Sequence, residues 1–217
     1  MSTILKITHI RPDFRGKEKL LDYLNTDGDE VERSFRLAAE VIEQIDASIG
    51  GKNYWQLSYP EVAWLYAAVE LLPSKLTAET GVGSGVSSLT ILKASENFGG
   101  KLYSFDLGRK YGESEEMPVG YLVPQRYRTR WELVIGNTKD ILPEYAGKIP
   151  PVDLFLHDSD HSYDHVTFEL ETMLQRMKRK YLIAVDNYDW TEAARDFAIR
   201  HGLNLVHMAD DMCFIFP

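Results

Sequence analysis

The stretch KLTAETGVGSGVSS, residues 75–88, changes character within a few positions. Its first half is a short apolar run that reads as a strand, and its last residues open a helix. Between them stand Gly81, Gly83 and Gly85, three alternate glycines where a plain strand-to-helix turn needs fewer. Glycine admits positive φ and lets a bound molecule approach the backbone closely. The helix beyond points free N–H groups at whatever anionic group binds there. The spacing is G-x-G-x-G, not the G-x-G-x-x-G of dinucleotide turns, and no G-K-[ST] follows as in a P-loop.

Outward from this loop the chain alternates short apolar runs with helical patterns. KLTAE, KLYSFD (101–106), WELVI (131–135), VDLFLH (152–157) and YLIAVD (181–186) read as strands. SSLTILKASENF, TKDILPEY, the segment from Ser162 to Arg179 and TEAARDFAIRHG read as helices, with RMKRKY (176–181) as a cationic helix end. Such alternation predicts an α/β fold, a parallel sheet covered on both faces. LNLVHM and MCFIFP, separated only by Ala209, Asp210 and Asp211, read as a closing hairpin that adds an antiparallel strand.

Towards the N-terminus, Val31, Phe35, Ala38, Ile42, Ile45 and Ile49 recur at helical spacing, so residues 29–51 read as an amphipathic helix closed by Gly50 and Gly51. SYPEVAWLYAAVELLP (58–73) reads as a second helix, with Pro60 in its first turn and Pro73 beyond its end. Being apolar nearly all round, it is expected to pack on the sheet. Residues 1–57 then form a helical extension or lid within one domain, and residues 58–217 carry the sheet.

At 217 residues the chain suits one domain with a sizeable core. Hydrophobic content of 44% with 26% charged residues argues against disorder. A net charge of −9 and a pI near 5.2 argue against an electrostatic grip on nucleic acid. Cys213 is the single cysteine, so an internal disulfide and a cysteine-based metal cluster are both excluded. The start MSTILKITHIRPD lacks a signal-peptide core, and no stretch approaches a membrane span. The expectation is a soluble cytoplasmic protein with neither membrane nor nucleic-acid partners.

Chemistry concentrates at strand ends. Asp106 follows Gly85 by about twenty residues, and an acid there can accept hydrogen bonds from ribose hydroxyls. VDLFLH runs into Asp158, Asp160 and His161, and YLIAV runs into Asp186 and Asn187. Ligands of a parallel α/β sheet bind beyond these carboxyl ends. Two carboxylates and an amide oxygen, with no sulfur, suit Mg²⁺ or a similar divalent cation. Ser159, Asp160 or Ser162 can instead cap the next helix. Tyr163 and His165 fall on its first turn without a catalytic role, and His157 is read as structural.

From Ser58 to Pro217 the sequence resembles the class I S-adenosylmethionine-dependent methyltransferases. Asp158 with Asp186 and Asn187 makes it similar to their cation-dependent O-methyltransferases of the catechol and caffeoyl type. The resemblance implies a Rossmann-like, seven-stranded, mostly parallel sheet with a C-terminal antiparallel hairpin strand, helices on both faces and an N-terminal helical extension. It implies that Glu79, Gly81, Gly83, Gly85 and Ser87 surround the methionine end of S-adenosylmethionine and that Asp106 holds the ribose. Asn137 and Thr138 match the pair near adenine, although Gly-Asn-Thr is also an ordinary turn. Asp158, Asp186 and Asn187 match the cation ligands, with Asp158 also near the amino end of the cofactor. His161 stands three positions beyond Asp158, where the catechol type has a lysine as general base and related sugar-modifying enzymes have histidine. The resemblance thus implies catalytic roles for Asp158 and for His161, the latter as general base. Its competing roles are substrate binding and helix capping.

The expected function is methyl transfer from S-adenosylmethionine to a hydroxyl oxygen of a small molecule, with divalent-cation assistance. Two alternatives stand beside it: an NAD-dependent Rossmann oxidoreductase, and a non-catalytic protein that binds S-adenosylmethionine. Glycine spacing and the hairpin speak against the first; intact Asp158, His161, Asp186 and Asn187 speak against the second. The apolar N-terminal helices suit a homodimer. Residues 107–130, LGRKYGESEEMPVGYLVPQRYRTR, replace the helix usual in such enzymes and read as an active-site cover. Arg126, Arg128 or Arg130 would pair with an acidic substrate or lie on a solvated surface strand.

Overall fold

A computed structural model of the chain describes residues 10–50, 56–108 and 117–217. In chain order the elements are α1 (Glu18–Leu24), α2 (Gly28–Ile49), α3 (Tyr59–Leu71), β1 (Leu76–Thr80), α4 (Val86–Ala94), β2 (Lys101–Asp106) and β3 (Trp131–Ile135). They continue as α5 (Thr138–Lys148), β4 (Val152–His157), α6 (Tyr163–Leu174), β5 (Met177–Val185), α7 (Ala193–His201), β6 (Asn204–Ala209) and β7 (Met212–Phe216). Short 3₁₀ turns cover Glu96–Phe98 and Gln125–Arg130. The strands form one seven-stranded sheet in the order β3-β2-β1-β4-β5-β7-β6, antiparallel only where β7 meets β5 and β6. The expected Rossmann-like architecture with its closing hairpin is the observed one.

Period-two alternation divides the core. Leu154, Leu156, Leu182, Ala184, Phe214 and Phe216 face a cluster built with α2, α3 and α4. Phe155, Ile183, Val185, Cys213 and Ile215 face the opposite cluster, built with α5, α6 and α7. α2 begins at the N-cap Asp27, whose side chain accepts from Glu30 N at 3.0 Å, and ends at Gly50 with φ 61°. Gly51, expected to share in closing it, lies outside the described residues. α3 has a full capping box between Ser58 and Glu61 and is buried along nearly its whole length, from Glu61 to Val69. Among the described residues, no helix is long and apolar enough to cross a membrane.

Two elements depart from expectation. α1 carries no strong periodic signal and was not foreseen. It docks by Leu20 and Leu24, and the Tyr23 hydroxyl between them donates to Tyr181 O at 2.9 Å and accepts from Tyr181 N at 2.8 Å. The helix expected to reach Arg179 stops at Leu174, and Met177–Lys180 is strand. Met177 pairs with Val152, and the step from Val152 to Leu154 is matched on β5 by the step from Met177 to Leu182, an irregularity that leaves Lys178, Arg179 and Lys180 outward. Exposed cations suit a helix end and an outward-facing strand equally; the pairing with Val152 decides between them.

Candidate active site

The strand order reverses between β1 and β4, which opens a crevice beyond their carboxyl ends. There Thr80 pairs with His157, so the glycine loop and the acidic turn leave the sheet side by side. Gly81 has φ 79°, and a Cβ on it would fall 1.6 Å from the Asp158 carbonyl oxygen. Gly85, with φ 96°, lies so close to the chain that its Cβ would fall 2.9 Å from Gly120 Cα. Asp106 clasps the loop: Oδ2 accepts from Val82 N at 2.8 Å and Gly83 N at 3.1 Å, and Oδ1 accepts from Gly108 N at 2.7 Å. A carboxylate offers about four lone-pair sites, so roughly one remains for a ligand hydroxyl.

Glu79 and Gly85, expected with the other loop residues around the cofactor, do not line the crevice themselves. Glu79 is fully buried beneath the loop, where its Oε1 accepts from Ser104 Oγ at 2.6 Å and from Ser88 Oγ. Its Oε2 has no partner, and burial pushes its pKa up to about 7. Gly81, Gly83, Ser87, Asp106, Asn137, Thr138, Asp158, His161, Asp186 and Asn187 all line one cavity of about 980 Å³. Asn137 N-caps α5, accepting from Lys139 N at 3.0 Å.

Asp158 and Asp186 leave adjacent strands, and Asp186 N donates to His157 O at 3.0 Å. A carboxylate oxygen from each, with a ring nitrogen of His161, forms a set within 4.8 Å of one another. Asp186 Oδ1 is buried without a partner. Burial first, then the charge of Asp186, holds Asp158 well above the usual carboxylate range. Burial likewise brings Asp186 to about 6. Asn187 adopts φ 50° and donates its amide to Asp211 Oδ2, so part of its side chain is already engaged. His161 is held edge-on between His157, at 5.5 Å between ring centroids, and Trp190, at 5.3 Å. Burial and then the neighbouring His157 lower its pKa to about 4, and its Nδ1 is buried without a partner. No hydrogen bond caps α6 through His161: the N-cap is Ser162, without a side-chain cap, and Asp160 Oδ1 accepts from Ser162 N at 2.9 Å in the turn just ahead of the helix.

Behind this group lies a polar network that holds the β4 turn. Glu169, fully buried on α6, receives His157 Nδ1 at 2.7 Å, His165 Nε2 at 2.8 Å, Thr80 Oγ1 at 2.5 Å and Ser159 Oγ at 2.9 Å. Burial would raise its pKa, but the hydrogen bonds from His157 and His165 outweigh it and hold the carboxyl well below its ordinary range. His157 is structural, as expected. His165 lines the cavity as well, meeting Thr138 Oγ1 at 2.8 Å, a position that its first-turn placement did not reveal.

The arginines of the long loop do not reach the cavity. Arg130 donates to Gly100 O at 2.6 Å and Leu92 O at 2.7 Å; Arg128 stacks on Trp131 and Arg126 on Tyr127. The segment is a 3₁₀ turn, so the surface strand is not found. The described part of the expected cover packs on the glycine loop itself, through Gly120 N to Gly83 O at 2.9 Å and Leu122 N to Ser84 O at 3.0 Å. Residues 109–116 of that cover lie outside the described residues.

Sequence reasoning missed Glu61, Trp190, Asp210 and Asp211 as cavity residues. Glu61 was visible only as the last position of an S-x-x-E capping box, and the two aspartates only as a hairpin turn. Glu61 is 3% exposed, and burial, followed by the charge of Asp186, pushes its pKa up to about 8.

No curated protein sequence matches the chain. Among solved structures, SAH-bound methyltransferase PaMTH1 from Podospora anserina superposes with a TM-score of 0.61 at 15% identity, covering 81% of this chain and 86% of that one. The O-methyltransferase from Bacillus cereus in complex with SAH gives 0.60 at 15% identity, over 97% and 100%. The O-methyltransferase TomG from Streptomyces achromogenes, involved in tomaymycin synthesis and solved with SAM, gives 0.59 at 15% identity, over 83% and 88%. At these identities the likeness is one of fold. A family model described as a methyltransferase domain matches residues 78–188, from the middle of β1 to just beyond β5. That match covers more than half of the chain and contains the glycine loop, Asp106 and both acidic strand ends, so the chain belongs to this methyltransferase-domain family and has the class I methyltransferase fold.

Proposed function

We propose that the chain transfers the methyl group of S-adenosylmethionine to a hydroxyl oxygen of a small molecule, with a divalent cation held by Asp158, Asp186 and Asn187. The observation that carries this reading is Asp186 Oδ1, buried, unpartnered and placed with Asp158 on a wall of the same cavity that the glycine loop lines. Two neighbouring carboxylates, Asp186 buried and Asp158 half-buried, with no lysine or arginine ion pair among the described residues, make a donor set that fits a hard divalent ion. The cavity also fits the methyl donor: beyond Gly83 a Cβ would meet nothing within 4 Å, and Asp106 keeps acceptor capacity.

The chain's own residues divide the work. The glycine loop and the N-terminus of α4 bind the donor, Asp106 takes a ribose hydroxyl, and Asn137 and Thr138 border the base. His161, neutral at pH 7 because burial lowers its pKa to about 4, is free to accept a proton. So weak a base serves only a hydroxyl whose acidity is already raised. A bound divalent cation supplies that Lewis acidity. Trp190, 61% exposed at the cavity rim, offers a flat face to the acceptor.

The test is transfer of a labelled methyl group to a panel of hydroxyl compounds, with Mg²⁺ or with a chelator, alongside calorimetric titration with S-adenosylhomocysteine. Tight binding with cation-dependent labelling of oxygen is the expected result. Absence of nucleoside binding would overturn the reading. Transfer unaffected by the chelator would remove the cation from it.

A further inference from the structure

Three carboxylates from three separate segments meet beside the proposed cation position. Glu61 lies in the first turn of α3, Asp186 follows β5, and Asp211 sits in the turn between β6 and β7. One oxygen from each lies within 4.8 Å of the others. Glu61 and Asp186 are 3% and 8% exposed, so water screens their repulsion poorly. Among the described residues, no lysine or arginine forms an ion pair with any of the three. Like charges this close and this buried need either shared protons or a bound cation.

The hydrogen bonds leave the matter open on one side only. Glu61 Oε2 accepts from Ser58 N at 2.8 Å, its Oε1 accepts from Asp211 N at 3.3 Å, and Asp211 Oδ2 accepts from Asn187. These bonds fix the carboxylates in place and supply no net positive charge. Asp186 Oδ1, by contrast, is more than nine-tenths buried and has no partner at all. Asp186 thus brings a buried, unpartnered oxygen to the residue group in which Glu61 and Asp211 are held by their own hydrogen bonds.

We propose that Glu61 and Asp211 belong to the ligand set of the divalent cation that Asp186 holds. The inference rests on the reading above in one respect, that Asp186 is a cation ligand. An all-oxygen set dominated by carboxylates suits Mg²⁺ or Mn²⁺. With this set the ion joins the N-terminal helix α3 and the closing hairpin to the end of β5. Cation binding then stabilises the acceptor side of the cavity and not the glycine loop.

The probe is Mn²⁺, titrated into the full chain at pH 8 by calorimetry and by loss of its free electron-paramagnetic-resonance signal. Wild type is compared with Glu61→Gln, Asp211→Asn and Asp186→Asn. Gln at position 61 keeps an oxygen for Ser58 N, and S-adenosylhomocysteine affinity reports whether each variant retains its fold. Glu61→Gln and Asp211→Asn should each weaken Mn²⁺ binding by roughly tenfold or more, lower the Mn²⁺-induced rise in Tm and leave nucleoside affinity unchanged. If Asp186→Asn abolishes Mn²⁺ binding while the other two match wild type, the inference is overturned and the cation reading stands. If Asp186→Asn also matches wild type, or wild type binds no Mn²⁺, the cation reading itself fails and takes the inference with it.

Discussion

Gly81 and the carbonyl of Asp158 are in main-chain contact: a Cβ on the glycine would stand 1.6 Å from that oxygen and 2.4 Å from its carbon. The loop offered to the methyl donor and the first acid of the β4 turn are therefore one rigid unit. Gly81→Ala must separate β1 from the β4 turn or rotate a residue out of φ 79°. The expected outcome is a loss of stability on the order of 3 kcal/mol or more and loss of S-adenosylhomocysteine binding. Urea unfolding and calorimetry measure both; a variant with wild-type stability and affinity would show that the contact is absent.

His161→Ala should separate chemistry from binding. The imidazole contacts His157 and Trp190 edge-on, and its nearest carboxylate, Asp158, is 4.0 Å away. Loss of a proton acceptor costs about 10²–10⁴ in kcat, whereas the donor cleft around Gly83 and Asp106 is left intact. Single-turnover rates together with nucleoside affinity read this split. Unchanged turnover would place the base elsewhere.

Glu79 makes stability depend on pH. Its folded pKa of about 7 stands above the ordinary glutamate value of 4.5 because burial disfavours the charge. The unfolded chain therefore releases this proton first, and the group's contribution to stability is present below the unfolded value and lost as pH rises through about 7. Glu79→Gln does not titrate, so its stability between pH 5 and pH 9 should fall less than that of wild type, by at most about 3 kcal/mol. Parallel pH-dependent melts would refute this if the two proteins lose stability equally.

Arg130 offers a test of the loop. Its guanidinium ties the turn to Gly100 O and to Leu92 O in the last turn of α4, and it does not line the cavity. Arg130→Ala should cost about 1–3 kcal/mol with no change in the KM of any acceptor. A raised KM for an anionic acceptor at unaltered stability would instead mean that the side chain reaches the substrate.

Much of this was legible because the signals are local. Three glycines with a strand before and a helix after are read within residues 75–88, and Asp158, Asp186 and Asn187 could be placed at one sheet edge from the ends of two apolar runs. The direction of Glu79 was not legible, because a strand's last acid looks alike whether it points into the crevice or, as here, to Ser88 and Ser104. Arg126, Arg128 and Arg130 were misread because alternation suggested a strand, whereas the segment forms a 3₁₀ turn with Tyr127 buried.

The sequence by itself determined the alternation of strands and helices, the closing hairpin, the glycine loop and which acids stand at strand ends. All of these follow from backbone preferences and apolar periodicity acting over a few residues. Only the tertiary structure decided which acids share a site. Asp211 N reaches Glu61 across 150 positions, and the network on Glu169 joins Thr80, His157 and His165. Such meetings depend on how distant elements pack, and with them on burial, which sets both the charge a carboxylate can carry and the partners it must find.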